Sequence, residues 1–151
     1  MKLNFPPYQF RIKEEGDSKL IFDELRGKYV ALTPEEWVRQ HLVKYLIEEK
    51  KYPRSLMALE YPVQVGTLKQ RADIVVCQTD GKPMLIAECK APDVEINQKT
   101  FDQIAVYNLT LNVKYLILTN GIKHYCCIMD MEKKTFIFMD NIPEYAAIIS
   151  H

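Results

Sequence analysis

Two apolar runs joined by Asp80-Gly81 constrain this chain more than any other feature. The first is RADIVVCQ, residues 71–78, and the second is PMLIAECKAP, residues 83–92. Asp-Gly between such runs is the strongest short-range signal for a β-hairpin. A two-residue turn pairs Thr79 with Lys82. That register sets Asp73 opposite Glu88 and Arg71 opposite Lys90. Residues two apart on a strand share a face, so all four charges gather on one face, at the end remote from the turn. The other face carries Ile74, Val76, Leu85, Ala87 and Cys89, and the charged face continues as Val75, Cys77, Met84 and Ile86. Strands that are apolar on both faces are covered on both sides. Their charged end therefore opens into a cleft rather than onto a free surface.

Two carboxylates set opposite each other repel and weaken a sheet, and in a partly buried site they do not both ionise cheaply. Arg71 and Lys90 offset part of that repulsion. A hard divalent cation offsets more, since Mg²⁺ takes one or two carboxylates, waters and substrate phosphate oxygens. A lysine beside such an ion can orient water and stabilise developing negative charge. These are the parts of metal-assisted phosphodiester hydrolysis. The plainer reading is a solvated hairpin end with surface ion pairs. The apolar cover on both faces weighs against it.

The rest of the chain supplies a fold around this hairpin. At 151 residues it has room for one domain with a real core. Net charge is zero, which neither excludes nor supports nucleic acid, because a basic groove can be local. Four cysteines without CxxC spacing speak against zinc and fit reduced thiols in a cytoplasmic protein. No apolar run approaches membrane-spanning length, the start is not a signal peptide, and neither GxGxxG nor GxxxxGK[ST] occurs.

Residues 1–29 read as an N-terminal extension or arm, with KLIFDELRGKYVAL a short hairpin or extended segment. TPEEWVRQHLVKYLIEEKKY reads as a helix, with Thr33 as N-cap, Pro34 in the first turn and Glu36 completing a capping box. Val38, Leu42, Tyr45 and Leu46 form its apolar face. SLMALEYPVQVG is a strand interrupted or flanked by Pro62. NQKTFDQIAVYNLTLNVK is a second helix capped by Asn97, with Phe101, Ala105 and Leu109 facing the core. KYLILTNG is a buried strand, HYCCIMDMEKKTFIFMD a hairpin around Glu132-Lys133, and IPEYAAII a short last helix. The order predicts one α/β (α+β) domain over residues 30–151, a mixed central sheet flanked by helices with an additional C-terminal hairpin.

Asp73, a turn, and then Glu88-Cys89-Lys90 resemble the motif of the PD-(D/E)XK nucleases. The string RADIVV…PMLIAECKAP…QIAVYNLTL…YLILTNG resembles, more closely, the N-terminal nuclease domain of type I restriction enzyme R subunits. The likeness covers roughly residues 30–125 and implies a restriction-endonuclease-like fold. It also implies Asp73 and Glu88 as Mg²⁺ ligands (Mn²⁺ can substitute), the Cys89 main-chain carbonyl as a further ligand, and Lys90 as the catalytic lysine. The Cys89 side chain then serves only packing. Gln103 and Tyr107 match the QxxxY element of the RecB-like branch. Their spacing sets both on one helical face, and the resemblance puts them at the border of the active site, helping to hold DNA or the catalytic arrangement. Many relatives carry an acid on the first helix that reaches the metal. Glu36 is the candidate for it here, beside its reading as a cap residue. Glu60 either nears the site or pairs with a base. Arg71 contacts phosphate at the cleft mouth or balances Asp73. His41 and His124 read as structural, Tyr115 and Tyr125 as packing, and Lys114 and Lys123 as solvated. The motif's usual proline before the aspartate is replaced by Ala72.

The function this implies is a metal-dependent DNA endonuclease acting on double-stranded DNA. The alternative is a catalytically silent DNA-binding or assembly module that keeps the fold, and a plain interaction domain leaves the opposed carboxylates unexplained. The R subunits resembled continue into a helicase-like motor and work with specificity and methylation subunits, which are the implied partners. A homodimer is compatible with the sequence, and a membrane is not implied.

Overall fold

Prolines, glycines and short polar stretches divide the chain into nine strands, three α-helices and one short 3-10 turn (Arg54–Leu56) among the described residues. The structure, a computed structural model, describes residues 2–130 and 132–149; the side chains of Val65, Leu68, Val106, Tyr107, Leu109 and Thr110 lie outside it. In chain order the elements are β1 (Ile12–Glu15), β2 (Ser18–Asp23), β3 (Lys28–Ala31), α1 (Pro34–Glu48), β4 (Met57–Val65), β5 (Leu68–Cys77) and β6 (Pro83–Cys89). These are followed by α2 (Gln98–Leu111), β7 (Tyr115–Thr119), β8 (His124–Asp130), β9 (Thr135–Met139) and α3 (Tyr145–Ile149).

The first three strands form a small antiparallel sheet, in which the expected hairpin gains a third strand. The other six form one mixed sheet in sequence order. Every neighbour in it is antiparallel except β6 and β7, which run parallel and are joined through α2. Parallel neighbours need such a crossover, and the longest helical pattern after β6 supplies it. All five residues of β7 are buried, as expected of a strand covered on both faces. The fold expected from the sequence is the one observed.

α1, with Ile148 of α3 beside it, covers one face of the six-stranded sheet, and α2 covers the other. Val38, Leu42 and Leu46 of α1 are fully buried against Ile74, Val76, Leu85, Ala87 and Ile117. Burying side chains of this size contributes about 1.5–3 kcal/mol each. Phe101 and Ala105 of α2 pack on Val75, Ile86, Leu116 and Leu118 across the sheet. Thr33 caps α1 as expected, its hydroxyl accepting the Glu36 N–H at 3.0 Å. Asn97 does the same for α2 through Thr100, at 2.9 Å.

The central hairpin reaches its expected register by an unexpected route. The loop holds three residues, Thr79, Asp80 and Gly81, not two. The Gly81 N–H donates to the Gln78 carbonyl, the Gln78 N–H donates to the Lys82 carbonyl, and Gly81 lies at φ +88°. Cys77 then pairs with Pro83, one residue short of the two-residue register. A bulge at Met84 restores it, so that Val76, Val75 and Ile74 pair with Leu85, Ile86 and Ala87. Pro83 has no N–H to give a ladder, and proline within sheets is confined to such places.

Candidate active site

The paired ladder of β5 and β6 ends at Ile74 and Ala87, and the charged residues begin where it stops. The Cys89 N–H does not go to a β5 carbonyl. It donates instead to Asp73 Oδ2 at 2.8 Å. This fixes the Asp73 carboxylate at the strand end and points it towards α1, where its other oxygen lies 3.8 Å from Arg39 Nη1. The Cys89 side chain is buried in the α1 core, and the Lys90 N–H is held by the Thr119 carbonyl at 2.8 Å.

Glu88 lies within hydrogen-bonding reach of Asp73. Burial, and then the Asp73 charge beside it, push the Glu88 carboxyl up to about 9, while the Lys90 ammonium pulls the other way. Two acids this close share a proton more readily than they both ionise. Asp73 opens into a cavity of about 450 Å³ that is also lined by Glu35, Glu36, Arg39, Glu60 and Cys89. Carboxyl groups outnumber bases around it. Among the described residues no three acidic, histidine or cysteine side chains converge tightly enough to hold a metal by themselves. Asp73 and Glu88 offer two carboxylates, a donor set of the kind Mg²⁺ takes when water and substrate oxygens fill the rest of its shell.

Two residues that sequence reasoning passed over shape this cleft. Arg39 is buried and binds Glu36 twice, at 2.9 and 2.5 Å, and Glu60 once, at 2.6 Å. The surrounding carboxylates raise its pKa further despite burial. It lies three residues before Leu42 and seven before Leu46, on the buried stripe of α1, and a charge on that stripe was the available signal. Glu35 is the second. Burial and then the Asp73 charge raise its pKa, with Lys90 and Arg39 opposing. Glu35 and Glu36 of α1 thus both line the cavity with Asp73, and the sequence put forward only the second.

Glu36 is otherwise engaged. Its carboxylate accepts from Arg39, from Arg26 at 2.9 Å and from Gln40 at 3.0 Å, and these hydrogen bonds outweigh burial and lower its pKa. The reciprocal arm of the expected capping box is absent, because the Thr33 N–H donates to the Ala31 carbonyl instead. Glu60 takes the basic partner foreseen as one of its two roles. Its φ of +54° in β4 is a strained value for this residue type.

Arg71 does not face Lys90. It pairs with Pro62 on β4 and lines a separate groove with Gln64 and Lys69. The ladder stops before reaching it, because the Asp73 side chain has taken the Cys89 amide. Gln103 is exposed on α2, and the Tyr107 side chain lies outside the described residues. His41 and His124 are structural, as expected. His41 Nδ1 meets the Trp37 carbonyl, and His124 bridges the Thr119 hydroxyl at 2.6 Å and the Asn4 carbonyl at 2.7 Å. The Thr119-Asn120-Gly121 turn braces the segment after Lys90, with Asn120 Nδ2 donating to the Val94 carbonyl at 2.9 Å. Among the described residues no helix is long and apolar enough to cross a membrane.

Comparison with known proteins gives one family and one fold. The family model described as type I restriction enzyme R protein N terminus (HSDR_N) matches residues 34–143. A solved fragment of a putative HsdR subunit of a type I restriction enzyme from Vibrio vulnificus YJ016 is similar in structure, with a TM-score of 0.53 at 19% identity over 79% of this chain. The match spans 25% of that solved chain. No curated protein matches.

Proposed function

We propose, from the premise that the chain belongs to the family of type I restriction enzyme R protein N termini, that its cleft is a metal-dependent DNA endonuclease site. The observation that carries this reading is the half-buried Asp73–Glu88 pair, whose mutual repulsion a divalent cation would relieve. The Asp73 and Glu88 carboxylates and the Cys89 carbonyl would hold Mg²⁺. Bound there, the ion supplies a Lewis acid for a phosphate oxygen and lowers the pKa of a water.

The chain's own residues do the rest. Glu88 and Asp73 would supply the carboxylates, and holding a cation would require Glu88 to release the proton that burial and the Asp73 charge favour. Lys90 offers an ammonium to the nucleophile and to the charge that grows on the phosphate. Glu35 lines the same cavity as Asp73, feels the charges of Asp73 and Lys90, and can orient a water or take its proton. Arg39 is a positioning residue that keeps Asp73, Glu36 and Glu60 in place. Gln103 and Tyr107 of α2 and the exposed Arg71 are the candidates for phosphate contacts, and binding carried by such contacts weakens steeply with salt. The substrate we propose is double-stranded DNA in the cytoplasm, with a helicase-like motor and specificity or methylation subunits as partners.

The test is nicking of supercoiled duplex DNA with Mg²⁺ or Mn²⁺ by the wild type and by Asp73→Ala, Lys90→Ala and Glu35→Gln. Metal-dependent cleavage lost in the first two and reduced in the third supports the reading. Cleavage that survives Asp73→Ala and Lys90→Ala sinks the site. DNA binding without cleavage under any metal would point to the silent module instead.

A further inference from the structure

Three of the four outer strands in the two sheets are blunted against further pairing. β1 reads Ile-Lys-Glu-Glu and β3 begins with Lys28. β4 carries Pro62 and the left-handed Glu60. Charges, proline and irregular backbone are the usual protections of a sheet edge. β9 has none of them. It reads Thr-Phe-Ile-Phe-Met, with Ile137 56% and Phe138 53% exposed.

The hydrogen-bonding parity of this edge follows from the ladder beside it. The Met129 N–H points to β7, donating to the Lys114 carbonyl at 2.8 Å. Its neighbours Ile128 and Asp130 therefore point their polar groups to β9, where they pair with Ile137 and Thr135. Ile137, Thr135 and Met139 are thus satisfied inward. The N–H and C=O groups of Phe136 and Phe138 face outward, on the free edge.

We propose that β9 pairs antiparallel with β9 of a second copy of this chain, joining two six-stranded sheets into one. A two-fold axis at Ile137 sets Phe136 of each copy opposite Phe138 of the other. Those are the residues whose backbone groups point outward, so the parity that pairing requires is the parity the strand has. The same axis sets Thr135 opposite Met139 and brings Lys134 to Asp140 at both ends. The flanking charges are of opposite sign and equally spaced from Ile137, so the edge is complementary to itself in charge as well as in hydrogen bonding. Phenylalanine pairs form on the α2 face, where Phe138 already leans on Phe101 with ring centroids 4.8 Å apart, and the two Ile137 side chains meet on the other. Such cross-strand pairs are the unit of sheet stabilisation. β9 lies three strands from β6, so this pairing leaves the cleft open.

The experiment is sedimentation equilibrium of the chain over a concentration series, with three variants. Phe138→Pro removes an outward N–H that β8 does not use, so the fold survives and the dimer is lost. Lys134→Glu sets like charges together and weakens the dimer at least tenfold. Adding Asp140→Lys to Lys134→Glu restores the opposite pairing and most of the affinity. Circular dichroism verifies that each variant is folded. A wild type that stays monomeric throughout overturns the proposal and leaves this edge to a different protein. A dimer unmoved by folded Phe138→Pro, or by the charge reversals, overturns it in favour of another surface.

Discussion

Replacing Arg39 with methionine isolates the interaction that holds the cleft together. Methionine keeps much of the buried stem and removes the guanidinium. The structure says what is then left behind. Glu60 is 36% exposed and finds water. Asp73 keeps the Cys89 amide. Glu36, at 7% exposed, loses two charge-assisted hydrogen bonds and keeps those from Arg26 and Gln40. Removing one member of a buried ion pair costs about 3–5 kcal/mol, and the two surviving donors put the expected loss near the low end, about 3 kcal/mol. Urea unfolding at neutral pH measures it as a shift in midpoint at unchanged slope. Glu36→Gln combined with Arg39→Met should then lose less than the sum of the single losses, by about 1–2 kcal/mol, because the buried charge is gone. The sign with pH follows as well. Glu36 titrates below its unfolded value, so its contribution is present above that value and is lost as pH falls through the folded one. In Arg39→Met this acid-side loss becomes smaller. A loss under about 1 kcal/mol, with strictly additive singles, would refute the view that Arg39 holds the acids of the cleft.

Further expectations rest on other parts of the molecule. His41 and His124 are both held below the ordinary histidine value, chiefly by burial. The unfolded chain therefore binds more protons below that value, and the thermal midpoint should fall as pH drops from 7 to 5; a flat midpoint would contradict their burial in the neutral form. A Cβ on Gly121, at φ +86°, would lie 2.8 Å from Leu3, whereas one on Gly81, at φ +88°, meets nothing. Gly121→Ala should therefore cost more than the ~1–2 kcal/mol of backbone strain expected for Gly81→Ala, as chemical denaturation will show. Glu35→Gln should leave the unfolding free energy within about 0.5 kcal/mol of wild type, whereas Glu36→Gln lowers it, which separates the two neighbouring acids of α1.

The fold was legible because its signals were local. Thr33 and Asn97 announce helix starts, Asp80-Gly81 announces a turn, and the apolar period assigns β5, β6 and β7. The opposed Asp73 and Glu88 were legible too, but only because two deviations cancel: the loop has one residue more than assumed, and the bulge at Met84 absorbs it. What stayed hidden was three-dimensional. Glu36 carries the cap spacing and masks Glu35; both line the cleft, but only Glu36 meets Arg26, which arrives from the N-terminal sheet. Extending the β5–β6 ladder puts Arg71 at the cleft, but Asp73 itself interrupts that ladder. Side-chain capture of a backbone amide leaves no periodic trace in a sequence.

The central claim is that the Asp73–Glu88 pair exists to bind a divalent cation. Titration calorimetry with Mn²⁺ on wild type, Asp73→Ala and Glu88→Gln, at neutral pH and low salt, tests it most directly. The account predicts one site per wild-type chain, with protons released into the buffer as Glu88 gives up its own, and loss of that site in both variants. Unchanged binding in either variant, or no binding by the folded wild type, would contradict it.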